Sequence, residues 1–414
     1  MSDTVSDYGV AAADQRSPRA KIGDASARLA LRLAEMIQVG HLTLVLPNGS
    51  THDIIRTATP QATFILRTGR AIRRIAVRGN LGVAEGYIDG DWDSPDPAAV
   101  MALAAANEAA WEPMLRGRPW VRAIARLLHR LRPNTRTGAR RNIEEHYDLG
   151  NDFYAEWLDP GMTYSAGCYD TPDTSLSEAQ HAKIHRLCQA LELQPGMTLL
   201  EIGCGWGSFA EIAARDYGAQ VTGITLSPSQ LAYAQARIAA AGLADRVTLE
   251  LRDYRDVTGS FDRIASIEMF EAVGETWWPT YFAALRDRLT PGGVAGLQVI
   301  TIADRLWADY VSTADFIQRY IFPGGMLPSP SRLRAQIAKA GLHWKEEHWF
   351  GQDYARTLAA WQTNFQAAWP TISRLAPRYD ARFKRLWEYY LSYCETGFRA
   401  GWTDVGQFLV ARPA

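Results

Sequence analysis

Two short stretches carry residue types that can do chemistry. Leu200-Glu201-Ile202-Gly203-Cys204-Gly205-Trp206-Gly207 places three glycines at alternate positions directly after an apolar run. Glycine permits a tight turn and lets a ligand approach the backbone closely. The spacing is GxGxG, not the GxGxxG of dinucleotide sites, and the next strand ends in Gly223-Ile224-Thr225-Leu226 without a carboxylate for a nicotinamide ribose. The second stretch is Glu268-Met269-Phe270-Glu271-Ala272-Val273-Gly274. Carboxylates here can accept a proton or steady a developing cation. Glu268 and Glu271 share a face if the piece is helical, and a catalytic loop after a strand is an equal reading. Cys204 reads as packing, because no base accompanies it.

The elements around these stretches form a series. Residues 176–191 read as a helix, followed by alternating strands and helices through VAGLQVITI at 294–302. That pattern predicts an open, mostly parallel sheet with helices on both faces and a ligand beyond the carboxyl ends of its strands. Before it, a short helix is expected over 26–37. A hairpin is expected around Asn48-Gly49, with strands at ATFILRTGR and AIRRIAVRG and helices at LGVAEGYIDG and MALAAANEAA. The 414 residues thus divide into a disordered start (1–25), a small α+β domain (26–115), a basic linker (116–145) and an α/β domain (146–414).

Composition narrows the choices. A formal net charge of -1 gives no general attraction to nucleic acid. Residues 116–141 nonetheless hold nine arginines and no acid, and Arg122, Arg126 and Arg130 fall on one helical face. This segment reads either as a helix lying on anionic lipid or as a solvated linker. The four cysteines form no CxxC pair and the eight histidines no HExxH, so no metal is expected. The N-terminus reads as lacking a secretory signal, and no run of about 18 apolar residues suggests a membrane span. A cytoplasmic protein with reduced thiols, held peripherally at the inner face of the membrane, is the expectation.

The glycine turn, opening such a series, resembles the first motif of S-adenosylmethionine-dependent methyltransferases of the class I, Rossmann-like fold. More of the chain resembles a narrower family, the cyclopropane-fatty-acyl-phospholipid synthases and related methyltransferases of unsaturated acyl chains. The resemblance rests on YDLGNDFYAEWLDPGMTYS (147–165), LEIGCGWGSFAEIAA (200–214), VTGITLSPSQLAYAQ (221–235), RDYRDVTGSFDRIASIEMFEAVG (252–274), DFIQRYIFPGGMLPS (315–329) and YYLSYCETGFRAG (389–401). It implies S-adenosylmethionine as cofactor, a cis double bond of a phospholipid acyl chain as acceptor, and a homodimer. By motif, Tyr164 and Ser165 would approach the methionine part. Glu201, Gly203 and Gly205 would form the cradle. Thr225, Leu226 and Gln230 would lie around the ribose and neighbouring carboxylate, and Asp253 and Tyr254 at the adenine. Glu271 matches the family's glutamate that helps hold a bicarbonate base.

The chain also departs from the family. Alanine replaces histidine at Ala272, Gln298 replaces a histidine that binds bicarbonate, and Gln362 replaces a tyrosine. Glu268 stands where glycine is usual, and Cys168 is displaced by two positions. These changes weaken the case for a bicarbonate site. They favour a product in which the methylated chain keeps its double bond, with Glu268, Glu271, Gln298 and Gln362 tuning where the proton leaves. Cyclopropane formation, methylation of a small molecule and a degenerate binding scaffold are the alternatives. Aromatic residues including Trp277, Trp278, Tyr281, Phe316, Tyr320 and Tyr393 could line an acyl tunnel or face a transient cation, although most serve as core.

Overall fold

The apolar stretches in 198–302 build five strands of a seven-stranded sheet, which two later strands complete. The computed structural model describes residues 24–115, 149–313 and 315–414. Residues 1–23 of the expected disordered start and the arginine segment 116–141 lie outside the described residues, whereas Asp24 and Ala25 open the helix Asp24–Glu35. The sheet contains β5 (Thr198–Ile202), β6 (Gln220–Thr225), β7 (Val247–Leu251), β8 (Phe261–Ile267), β9 (Leu289–Ile302), β10 (His343–Trp349) and β11 (Thr403–Ala411). Its order is β10-β11-β9-β8-β5-β6-β7. β5 through β9 pair in parallel, whereas β11 is antiparallel to both neighbours.

Both faces of this sheet are covered, which explains its near-continuous apolar strands. Leu199 faces the helices Leu176–Ala190, Ser208–Tyr217 and Pro228–Ala240 through Leu187, Phe209 and Ala234. Its neighbour Leu200 faces Trp278, Phe282 and Leu333 of the helices Trp278–Arg288 and Pro330–Lys339. A one-residue slip would exchange the two sets, so packing fixes the register.

The N-terminal unit has a four-stranded sheet, order β2-β1-β3-β4, from β1 (His41–Val45), β2 (Thr51–Ile55), β3 (Gln61–Leu66) and β4 (Trp92–Asp93). The expected hairpin is β1–β2, turning at Gly49 with φ +88°. One expectation is overturned: residues 71–79 are not a strand. They fall in the helix Gly69–Arg78, whose start is capped by Thr68 Oγ1 accepting from the Arg70 amide at 3.3 Å. Ala71, Ile72 and Ile75 are buried at helical spacing. Arg70, Arg74 and Arg78, four apart along the helix, reach Asp91, Asp89 and Glu85, while the adjacent buried Ala71 and Ile72 would point to opposite faces of a strand.

Two long helices, Gly351–Leu375 and Ala381–Arg399, join the two sheets. Their buried Trp361, Phe365, Trp387 and Tyr390 belong to one core with Trp92 and Tyr87 of the N-terminal unit and Phe153 and Trp157 of the α/β part. Arg385 donates to the Tyr87 and Trp92 carbonyls at 2.5 and 2.8 Å and lies 3.9 Å from the Tyr87 ring centre. The N-terminal unit is therefore held against the helices that wall the site.

Candidate active site

A cavity of about 660 Å³ opens at the carboxyl ends of β5, β6 and β8. The glycine turn forms its floor. Gly203, Gly205 and Gly207 adopt φ values of +87°, +51° and +85°. A methyl group at Gly203 would come within 2.8 Å of Met269, whereas one at Gly205 would meet nothing within 4 Å and would project into open space. The turn thus keeps a cradle clear, and Gly207 starts the helix Ser208–Tyr217 beneath it.

Tyr164, Ser165, Glu201, Gly203, Gly205, Thr225, Leu226, Gln230 and Tyr254 all line this cavity. Thr225 donates to Gln230 at 3.1 Å, which stiffens the turn after β6. Several enclosed polar atoms on the wall have no partner among the described residues: Thr163 Oγ1, Glu201 Oε2, Ser208 Oγ and Tyr254 OH. Buried polar atoms are seldom left unmet, so this donor and acceptor set fits an amino-acid-bearing nucleoside such as S-adenosylmethionine. Asp253 behaves differently. It is not a wall residue, and its carboxylate is gripped by Arg255 at 2.6 and 2.8 Å. Cys204 is buried against Gly223, and burial pushes its thiol far up, in keeping with packing.

Beyond the cradle lie the carboxylates. Glu268 follows β8 in the left-handed conformation, φ +49°. Its Oε1 accepts from the Ala166 amide and from Gln298 Nε2, both at 2.8 Å. Its Oε2 accepts from Tyr354 OH at 2.7 Å. Gln298 is in turn oriented by Gln407, which donates to its Oε1 at 3.1 Å. Enclosure raises the Glu268 pKa, and the donors from Tyr354 and Ala166 oppose that rise. Glu271 sits in a short 3₁₀ turn, not on an α-helix shared with Glu268. Its Oε1 accepts from the Ile300 amide at 2.6 Å, and its Oε2 has no partner among the described residues. Enclosure and the charge of Glu268 push Glu271 to about 8.

Two expected residues stand apart. Gln362 is not a wall residue; the phenol that meets Glu268 comes from Tyr354, eight positions and about two turns earlier on the same helix. Tyr320 donates to Glu85 of the N-terminal unit at 2.7 Å and ties two parts of the chain together. Tyr393 and Phe316 do line the cavity, with Tyr389, Tyr390 and Phe398. Sequence reasoning missed Tyr354 and Lys183. Lys183 lies on the buried stripe Ala179, Lys183, Ile184, Leu187, where a lysine at apolar spacing was a legible signal. The N-terminal unit also contributes apolar wall residues, Leu81, Val83, Val100 and Met101. Among the described residues no helix is long and apolar enough to cross a membrane, and no cluster of metal-ligating side chains occurs.

Comparison with known proteins agrees with this geometry. The family model for mycolic acid cyclopropane synthetase matches residues 134–408. The chain is 38% identical to tuberculostearic acid methyltransferase UfaA1 of Mycobacterium tuberculosis over 95% of this chain and 93% of that one. It is also 38% identical to the cyclopropane-fatty-acyl-phospholipid synthase of Escherichia coli K12, over 88% and 89%. The crystal structure of mycolic acid cyclopropane synthase CmaA1 complexed with SAH and CTAB superposes with a TM-score of 0.62 at 32% identity, covering 66% of this chain and 98% of that one. With its cradle, its sheet order and these likenesses, the chain belongs to the mycolic acid cyclopropane synthetase family and is an S-adenosylmethionine-dependent enzyme of the class I methyltransferase fold.

Proposed function

We propose that the chain methylates a cis double bond in an unsaturated acyl chain carried by a phospholipid, and that Glu268 takes the proton that leaves, giving a methyl-branched unsaturated chain. One observation carries this reading. Glu268 is a carboxylate held at a backbone conformation that favours glycine, with three donors fixing it in the cavity wall. Non-glycine residues in that region cost about 1 kcal/mol or more, and such outliers gather at functional sites.

The cofactor, when bound, supplies an electrophilic methyl whose transfer to the alkene leaves a cation on the acyl chain. Tyr389, Tyr390 and Phe398 present aromatic surface to the space where that chain would lie. Apolar walls from both sheets' surroundings keep water away. Loss of a chain proton to the Glu268 carboxylate restores a double bond, so atoms and charge balance without a further reactant. The Ala166 amide and Gln298 are donors that already bond Glu268, which argues that a fixed carboxylate replaces the bicarbonate implied by the family resemblance.

The names of the similar proteins support a lipid acceptor, and the apolar wall from the N-terminal unit supports a long one. Peripheral contact with anionic lipid belongs to the same proposal and is read by vesicle co-sedimentation. Cyclopropane formation remains the second reading, because Glu271 keeps an unmet carboxylate oxygen at the cavity. Mass spectrometry of fatty acids after reaction with labelled S-adenosylmethionine and cis-unsaturated phospholipid vesicles, before and after mild hydrogenation, separates the two. A product that takes up hydrogen is a methylated alkene; one that resists is a cyclopropane and overturns the proposal.

A further inference from the structure

Lys183 is wholly buried in the helix Leu176–Ala190 and borders the same cavity. Its Nζ donates to Ser165 Oγ at 2.6 Å. Among the described residues it has no carboxylate in ion-pair contact; Glu268, Glu201 and Asp159 act on it only from further away. Burial lowers its pKa to about 8, so it remains mainly charged at neutrality. An enclosed ammonium with a single hydroxyl partner is costly unless an anion arrives to meet it.

The direction of the serine bond shows where that anion would sit. An ammonium only donates, so Ser165 Oγ is the acceptor and its own O–H is free to donate elsewhere. Ser165 lines the cavity, as do Thr163, with an unmet Oγ1, and Glu201, with an unmet Oε2. These groups together present a cation, hydroxyl donors and an acid, a set that complements a zwitterionic amino acid.

We propose that Lys183 is a positioning residue that, through Ser165, selects the carboxylate of the cofactor's amino-acid end, with Glu201 serving the ammonium. The proposal concerns cofactor recognition and does not depend on which lipid product forms. Charge-assisted hydrogen bonds contribute enough that losing one changes affinity by roughly tenfold or more.

The test is calorimetric titration of the intact chain, without lipid, with S-adenosylhomocysteine and with 5′-methylthioadenosine, which keeps the nucleoside and thioether but lacks the amino-acid carbons. Lys183→Met should weaken S-adenosylhomocysteine by roughly tenfold or more and leave 5′-methylthioadenosine within about twofold. Ser165→Ala should show the same selectivity. Because the two act in series, the double variant should bind within about twofold of the weaker single variant. Unchanged S-adenosylhomocysteine binding in Lys183→Met overturns the proposal, and so does a parallel loss of both ligands, the mark of a merely structural role. If Lys183→Met does not fold, the Ser165→Ala affinities decide by the same criterion.

Discussion

Replacing Glu268 by glutamine removes the charge at nearly constant volume. The carboxylate now accepts from Ala166, Gln298 and Tyr354 at 2.7 to 2.8 Å. A glutamine oxygen can keep two of these donors, but its NH₂ then faces the third. One charge-assisted bond is lost, about 1.5–3 kcal/mol, while the cost of enclosing a charge is relieved. Stability should therefore change by no more than a few degrees in Tm. The chemistry should change far more. A positioned base contributes roughly 10²–10⁴ in rate, so kcat on cis-unsaturated phospholipid vesicles should fall by at least about 10², with S-adenosylhomocysteine affinity within about threefold of wild type. Glu268→Gly sharpens the test. Glycine suits φ +49° and empties a space bordered by the Ala166 amide, Gln298, Tyr354 and Glu271. That variant should be inactive in bicarbonate-depleted buffer and recover partly on adding bicarbonate, whereas wild type should not respond. Retention by Glu268→Gln of more than about a tenth of the wild-type rate refutes the assignment of the base.

The other predictions rest on the same geometry. Tyr354→Phe should lower kcat by roughly tenfold by removing a donor to Glu268, while Tyr320→Phe should leave kcat within about threefold and lower Tm, because its hydroxyl serves Glu85. Gly203→Ala should cost roughly 1–3 kcal/mol in denaturant unfolding, from φ +87° and the 2.8 Å approach to Met269. Gly205→Val should cost about 1 kcal/mol yet weaken S-adenosylhomocysteine by roughly tenfold or more, because its side chain enters the cradle. Glu201 and Glu271 are both raised to about 8 by enclosure, so the folded chain binds more protons than the unfolded chain between the ordinary carboxylate range and pH 8. Stability should fall as pH rises through that window, and Glu271→Gln should flatten the thermal midpoint measured from pH 5 to 8.5.

The two parts of the chain were unequally legible. The large sheet declared itself because both of its faces are buried. Leu199 and Leu200 can both be apolar only where helices cover each side, and the glycines of the turn between β5 and the following helix mark the point of ligand approach. The N-terminal unit gives a weaker signal because its elements are short, and the helix Asn80–Ile88 is buried nearly all round. In AIRRIAVRG, β-branched residues favoured a strand, but the acids that the arginines meet lie at 85–91, a partner set no local pattern reveals.

Within the site, the departures from the family's pattern were visible while their consequences were not. Glu268 in place of glycine is a one-letter change, but its meaning depends on φ +49° and on a tyrosine 86 residues away in sequence. Gln298 likewise reads as a lost titratable ring until its amide is seen to bond the new carboxylate. The expected role of Gln362 failed for the converse reason: motif alignment carries a position along a helix, whereas the hydrogen bond needs a phenol of the right reach on the right turn, and Tyr354 supplies it. A substitution that introduces a charge into such a cavity requires donors from several elements at once. Their coordinated placement around Glu268, from the loop before the helix Leu176–Ala190, from β9 and from the helix Gly351–Leu375, is more than a lone structural acid would need.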